Sequence, residues 1–508
     1  MSKVSQRPNR EVIKEQRCYK KQQKKALREQ QKAEGLVPRR PPALPNTCTS
    51  YTTKAEEQRE REEAVTGQLR ILRRELPKLL QRLDKIPDPR DPGKRKHKLT
   101  LLMVYGLLMF VFQFSSRREV NKVMTRPQFV ENLQQFFPEL EKLPHADTLF
   151  RLLRDIDVEH IEEAHADLVR RLIRNKKFRR FLINSCHPIA IDGSQKFTRD
   201  TLWDVNPLQR THGKGEQSHT QYYVYVLEAS LSFHNGIVIP LLSEFLEYDK
   251  GDTENNKQDC EQRAFHRLSA RLKQFFPNLP IILLLDGLYA NGPVMDRCRQ
   301  FNWQFMIVLK NKDLPSVWEE FNGLKPLQPK NRLERSWGDR RQHLSWVNAI
   351  EYEYKQNGKH RGMKLHVVVC DESWEVVSEE GLIIPQTARH TWISSRPLNR
   401  NNVHERCNLG ARYRWGIEAG FLVEKHQGYQ YEHAFALDWN AMKGYHYLMR
   451  LAHLLNTLAR VSQHLKGLYA KYGVRGTIAF IRESCAAPWL DPERIKSLLS
   501  RYFQLKLE

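Results

Sequence analysis

A chain of 508 residues is long enough for two or three domains and a large core. Its 83 Lys and Arg against 59 Asp and Glu leave a formal charge of +24, which points to a polyanionic partner, nucleic acid before any other, and predicts affinity rather than choice of sequence. Eight cysteines are scattered with no Cys-x-x-Cys pair, which argues against a disulfide framework or a zinc ribbon and fits a reducing cytoplasm.

Residues 1–65 are polar and basic, with a Pro-rich break at 38–42. Such a segment buries too little apolar surface to order itself, so a disordered tail or a lone helix is expected. Leu69, Ile71, Leu72, Leu76, Leu79, Leu80 and Leu83 then recur at helical spacing, closed off by Pro87, Pro89 and Pro92. Residues 99–114 (LTLLMVYGLLMFVFQF) are nearly all apolar between basic flanks. The run is short of the roughly 20 residues a spanning helix needs, and Gly106 and Gln113 interrupt it, so a buried helix is expected rather than a membrane span. Helical patterns continue through 127–137, through 147–153 with Asp147 or Thr148 as cap, and through 158–181.

Residues 188–193 (PIAIDG) and 280–287 (PIILLLDG) are apolar, strand-like runs that end in Asp-Gly. A buried strand ending in a carboxylate places that group at the carboxyl edge of a sheet, where open α/β sheets bind ligands. Taken singly, each also reads as a plain turn. Strand patterns at 221–232, 236–247 and 304–310, with helices at 256–276 and 293–300, give an alternation that excludes an all-α or all-β reading. His187, Lys196 and Arg199 near the first aspartate either meet a polyanion or are simply exposed. From 311 to 396 the helical period disappears, and strand-like runs at 343–354, 363–370 and 391–394 suggest a β-rich insertion with Trp337, Trp346, Trp374 and Trp392 in its core.

Over 411–425 a helix is expected. Trp415, Ile417, Phe421 and Leu422 form its packing face, while Arg414, Glu418 and Lys425 fall at intervals of four and seven. A cation, a carboxylate and a second cation along one side suit an anion held by a metal; the alternative is a solvated Arg–Glu pair. Glu424, six positions from Glu418, falls on nearly the opposite face. An amphipathic helix over 438–465 is expected to pack the sheet, and 466–508 is moderately helical.

Asp192, Asp286 and Glu418, with Arg414 and Lys425 around the glutamate, resemble the DDE catalytic set of bacterial insertion-sequence transposases, in the subgroup with a Tyr-Arg-Glu-Lys signature. Ala411 stands where that signature has its tyrosine, and Tyr413 is the nearest candidate to stand in. The phrases at 257–261 (KQDCE) and 285–291 (LDGLYAN) add to the likeness, which runs from about 187 to about 455. The resemblance implies an α/β fold: a ribonuclease-H-like catalytic core at 186–310 and 397–465, and a β-rich insertion at 311–396. A tail at 1–65 and an all-α DNA-binding domain at 66–185 would precede the core, and a C-terminal helical segment at 466–508 would follow it.

Carboxylates are the hard ligands that Mg²⁺ prefers, and two ions about 3.5–4 Å apart serve both oxygens of a phosphoryl transfer. Asp192 is assigned as the bridging ligand of two Mg²⁺ ions, which Mn²⁺ could replace, with Asp286 and Glu418 holding one ion each. Arg414, Lys425 and Tyr413 are assigned to DNA. The resemblance implies a cytoplasmic, nucleoid-associated bacterial enzyme that cuts double-stranded DNA at terminal inverted repeats and joins the freed 3′-hydroxyls to target DNA, as a homodimer on that DNA and without a membrane. A metal-dependent nuclease that does not join, and a non-enzymatic DNA-binding descendant of a transposase, are the alternatives. No phosphate-binding Gly-x-x-x-x-Gly-Lys-Ser/Thr loop and no Gly-x-Ser-x-Gly elbow occurs, which argues against a P-loop ATPase and a serine hydrolase.

Overall fold

The computed structural model describes residues 10–34, 48–140, 142–213, 218–248 and 260–507; the Pro-rich break at 38–42 and residues 257–259 lie outside them. In chain order the helices α1 (Arg10–Ala33), α2 (Lys54–Leu83), α3 (Leu99–Val111), α4 (Arg117–Val123), α5 (Pro127–Gln134), α6 (Ala146–Asp155) and α7 (Glu159–Arg174) come first. They are followed by β1 (His187–Arg199), β2 (Leu208–His212), β3 (His219–Ser232), β4 (Val238–Phe245), α8 (Glu261–Phe275), β5 (Ile281–Leu285), α9 (Gly292–Gln300), β6 (Gln304–Val308) and α10 (Pro315–Leu324). Then come β7 (Arg332–Trp337), β8 (Arg340–Gln356), β9 (Lys359–Val377), β10 (Ile383–Ser394), α11 (Gly416–His426), α12 (Trp439–Arg460), α13 (Lys466–Ala486) and α14 (Pro492–Ser500). This mixed α/β chain divides into a larger unit, Leu44–Leu284 with Arg412–Glu508, and a smaller one, Met1–Ala43 with Leu285–Ala411.

In the larger unit β3 is the hub of a mixed sheet. It pairs antiparallel with β1 on one side and with β2 and β4 on the other. β5 runs parallel to β1, with His187 opposite Ile281 and Ala190 opposite Leu284. Both strands start as continuous apolar runs because both faces are covered: the first five residues of β1 and all of β5 are buried. The helix expected to pack the sheet does more than that. α12 is buried along nearly its whole length, packing on β4 and also on α2, α3, α6 and α7, so helices and sheet share one apolar interior.

The apolar run at 99–114 is the buried helix α3, and no helix among the described residues is long and apolar enough to cross a membrane. Gly106 interrupts the run for a packing reason. A Cβ there would stand 2.8 Å from Leu149 of α6 and 2.8 Å from Leu448 of α12, so the missing side chain is what lets three helices meet. Two boundaries differ from expectation. α2 starts at Lys54, earlier than its leucine pattern, because Thr53 and Glu56 form a reciprocal capping box. α6 is capped by His145, whose Nδ1 accepts from the Asp147 amide, rather than by Asp147 or Thr148.

The smaller unit carries an antiparallel array in which β6 pairs with β10, β10 with β9, β9 with β8 and β8 with β7. The runs expected at 343–354, 363–370 and 391–394 lie within β8, β9 and β10, which extend beyond them into mixed polar and apolar residues that are mostly exposed or half-buried. α10 corrects the expectation of no helix after 310. It offers only Val317 and Phe321 as buried residues, too few to show a period. Trp346 and Trp392 are core, and Trp374 carries the Arg340 guanidinium 3.8 Å from its ring centre.

Gly106→Val should lower the stability of the chain by about 1–3 kcal/mol through overpacking of α3, α6 and α12. A urea titration followed by tryptophan fluorescence measures it, and an unchanged midpoint would show that the contact is not tight.

Candidate functional site

Asp192 lies in the middle of β1, not at its end as the apolar run suggested. The strand continues to Arg199 paired with β3, with Asp192 opposite Glu228 and Gly193 opposite Leu227. The Asp-Gly pair is therefore no turn. Gly193 is needed because Tyr225 lies across it: a Cβ would stand 2.4 Å from the Tyr225 ring, whose hydroxyl donates to Glu261 at 2.5 Å. What stops near Asp192 is the parallel pairing, since Ala190–Leu284 is the last pair with β5 and Asp192 stands two residues farther on. Asp286 likewise follows Leu284 by two residues and belongs to the smaller unit. There its Oδ1 accepts the Leu288 amide at 2.9 Å and opens a 3-10 turn, Gly287–Tyr289.

The stretch expected as one helix over 411–425 is wound as a 3-10 helix over Ala411–Trp415 and becomes α-helical only at Gly416. Its packing face is Ile417, Gly420, Phe421 and Glu424. Trp415 and Leu422, expected to pack, are 61% and 56% exposed. Two glycines set this face. A Cβ on Gly416 would fall 2.0 Å from Ser232 Oγ, and one on Gly420 would fall 3.3 Å from Val238. Ser232 donates to the Tyr413 carbonyl, which ties the start of the helix to β3. Glycines four apart, rather than the apolar pattern, decide how α11 lies on the sheet.

That seat brings Glu418 and Asp192 to one cation. Arg414, with its side chain 8% exposed, places Nη1 3.4 Å from Asp192 Oδ2 and Nη2 3.3 Å from Glu418 Oε1. Its guanidinium lies 4.5 Å from the Trp415 ring centre, and its Nε is buried with no hydrogen-bond partner. The two carboxylates share this one guanidinium. Their oxygens are of the kind a hard divalent cation takes, so the donor chemistry fits Mg²⁺. Among the described residues no group of three or more His, Cys, Asp or Glu is gathered to hold a metal ion. What the larger unit gathers is the pair, with Arg414 as its counter-charge. Lys425 reaches the Gln195 carbonyl of β1 at 3.4 Å and Glu432 at 3.3 Å.

Beneath α11 lies an ion cluster that the sequence reading missed. Arg450 of α12 sits 2.9 Å from Glu228 and 3.0 Å from Glu424, while His446 is 3.1 Å from Glu228 and His453 2.6 Å from Glu424. Burial alone would raise both carboxyls. Arg450 and His446 outweigh it at Glu228, and Arg450 and His453 hold Glu424 down to about 2. Lys196, left open above as a polyanion contact, is instead buried, with Nζ on the Tyr431 carbonyl at 2.7 Å and its pKa pulled by burial down to about 8. A signal was present: His446, Arg450 and His453 recur at spacings of four and three along the leucine-rich stretch of the helix.

Residues 80–169, from the last turn of α2 into α7, match the family model described as DDE_Tnp_1-associated, a domain found in DDE-type transposase families. No curated protein matches the chain. The matched residues belong to the same unit that pairs Asp192 with Glu418, and they suggest a transposase-related role.

Arg450→Met should cost about 3–5 kcal/mol, because two buried carboxylates lose their shared partner. Chemical denaturation reads this directly, and a loss under about 1 kcal/mol would mean that the cluster contributes little. A second expectation concerns acid. Burial holds His165 down to about 4, with Nε2 donating to the Pro240 carbonyl at 2.7 Å. A depressed folded-state pKa stabilises the fold above the unfolded value of 6.5 and loses that contribution as pH falls towards 4. His165→Gln should therefore lose less stability than the native chain between pH 6.5 and 4, and parallel losses in the two proteins would contradict the assignment.

Proposed function

We propose that the chain is a DDE-type DNA transposase of the insertion-sequence kind, with a ribonuclease-H-like core. The observation that carries this reading is the meeting of Asp192 and Glu418, 226 positions apart, on the one guanidinium of Arg414. The transposase-associated domain in the same unit and the charge of +24 support it. The core reading is supported by the antiparallel strands β1, β3 and β4, followed by α8 and then by β5 parallel to β1.

In this reading Asp192, Asp286 and Glu418 hold two Mg²⁺ ions, or Mn²⁺ in their place. Such ions, when bound, withdraw charge from the scissile phosphate and acidify an attacking water. Arg414 turns its donors, Nε among them, to a non-bridging phosphate oxygen, and Lys425 holds the backbone of the same strand. No side chain is required as the base. Hydrolysis breaks the bond between phosphorus and the 3′ oxygen at the element's end, leaving a 3′-hydroxyl and a 5′-phosphate. That 3′-hydroxyl then attacks a target phosphodiester, one P–O bond forming as another breaks, so no nucleotide energy source is needed. Two ends must be joined, so the working form is a homodimer on double-stranded DNA carrying terminal inverted repeats.

Asp192→Asn and Glu418→Gln test the assignment on labelled duplex DNA spanning the ends of the element that encodes the chain. Each should depress Mg²⁺-dependent cleavage by more than the about 10–100-fold typical of losing an outer partner of a metal ligand, while DNA binding is retained. Strand transfer by the native chain distinguishes a transposase from a nuclease that only cuts. Cleavage retained in either variant would reject the ligand set.

A further inference from the structure

A cavity of about 490 Å³ lies beside α11 in the larger unit, within the about 300–1,000 Å³ range of ligand sites. One wall comes from the transposase-associated domain, through Gln113 and Glu119; another is Lys425 at the end of α11; a third is the face of α13 that carries Arg475 and Arg482. We propose that this cavity seats the phosphodiester backbone of a DNA strand on its way to Asp192 and Glu418, with Arg475 as a direct phosphate contact. The inference rests on the function proposed above and adds to it a place for the strand.

Three cations face one carboxylate there. Arg475 and Arg482 stand seven apart, with Ile478 and Ala479 of the same lining between them, so α13 presents both to the cavity from one face. Arg482 is partly committed to Glu119, at 3.5 Å, and Lys425 to Glu432. Arg475 is exposed and makes no ion pair among the described residues, which leaves a cation without a counter-charge. Gln113, 7% exposed and with φ of 54°, adds an uncharged polar group to the same lining. Lys425 links the two places, because it lines the cavity and its Nζ donates to the Gln195 carbonyl, three residues beyond Asp192 on β1. Cations on separate walls fit the repeating charges of a strand better than a single small anion.

The test uses the full chain, labelled mixed-sequence duplex DNA, and the dependence of Kd on salt. Each phosphate contact on a duplex contributes about 0.9 to the slope of log affinity against log salt. Arg475→Ala should reduce the slope by about that much, whereas Lys496→Ala on the exposed face of α14, the same change of charge, should leave it unaltered. Equal slopes for the native chain and both variants, with thermal melts unchanged, would overturn the proposal. So would calorimetric binding of dATP that is lost in Arg475→Ala, since that would give the cavity to a free nucleotide. The two levels fail separately. Cleavage surviving in Asp192→Asn sinks the transposase reading while leaving the strand path standing, and an unmoved slope in Arg475→Ala with an inactive Asp192→Asn sinks the strand path alone.

Discussion

Arg450 is the interaction on which the geometry of the larger unit turns. Its guanidinium is buried between Glu228 of β3 and Glu424 of α11, so one side chain of α12 ties the helix to the sheet. A carboxylate buried alone costs several kcal/mol, which leaves Glu424 nowhere to go but this cluster. Because Glu424 is held inwards, the rotation of α11 about its own axis is fixed. Six residues at about 100° each place Glu418 about 240° away around the helix, on the side where Asp192 and Arg414 lie.

Arg450 and Arg414 each set one guanidinium between two carboxylates, with opposite consequences. At Arg450 all three groups are buried and His446 and His453 add further contacts to the two carboxylates, so the arrangement is a fixed part of the core. At Arg414 the carboxylates of Asp192 and Glu418 are partly open to solvent, and the contacts of 3.3–3.4 Å are looser than a tight pair. A pair of carboxylates open to solvent can exchange its counter-ion. A closed one cannot. The inner cluster fixes the seat of α11, and the outer one is where the proposed function puts the chemistry.

Much of this was readable from residue order alone, and the failures share a cause. The apolar starts of β1 and β5 and the Arg414–Glu418 spacing stood out because their patterns are local. The second half of β1 did not, because Ser194 and Lys196 face inwards and look like loop residues until the elements that bury them are known. The packing face of α11 was misread for a related reason. Trp415 and Leu422 are large and apolar, but the contact is set by what Gly416 and Gly420 lack. Glu424 could be placed away from Glu418 by helical period, yet its partners come from α12, and pairing across more than twenty positions leaves no local trace.

In the function proposed above, Asp192, Asp286 and Glu418 would hold the same divalent ions. Fe²⁺ exchanged for Mg²⁺ in the full chain, with ascorbate and peroxide added, releases hydroxyl radicals that cut the backbone beside the metal. The account predicts cuts clustered near 192, 286 and 418 that excess Mg²⁺ suppresses. Cuts confined to other segments, or no Mg²⁺-sensitive cutting near 192 and 418, would contradict it.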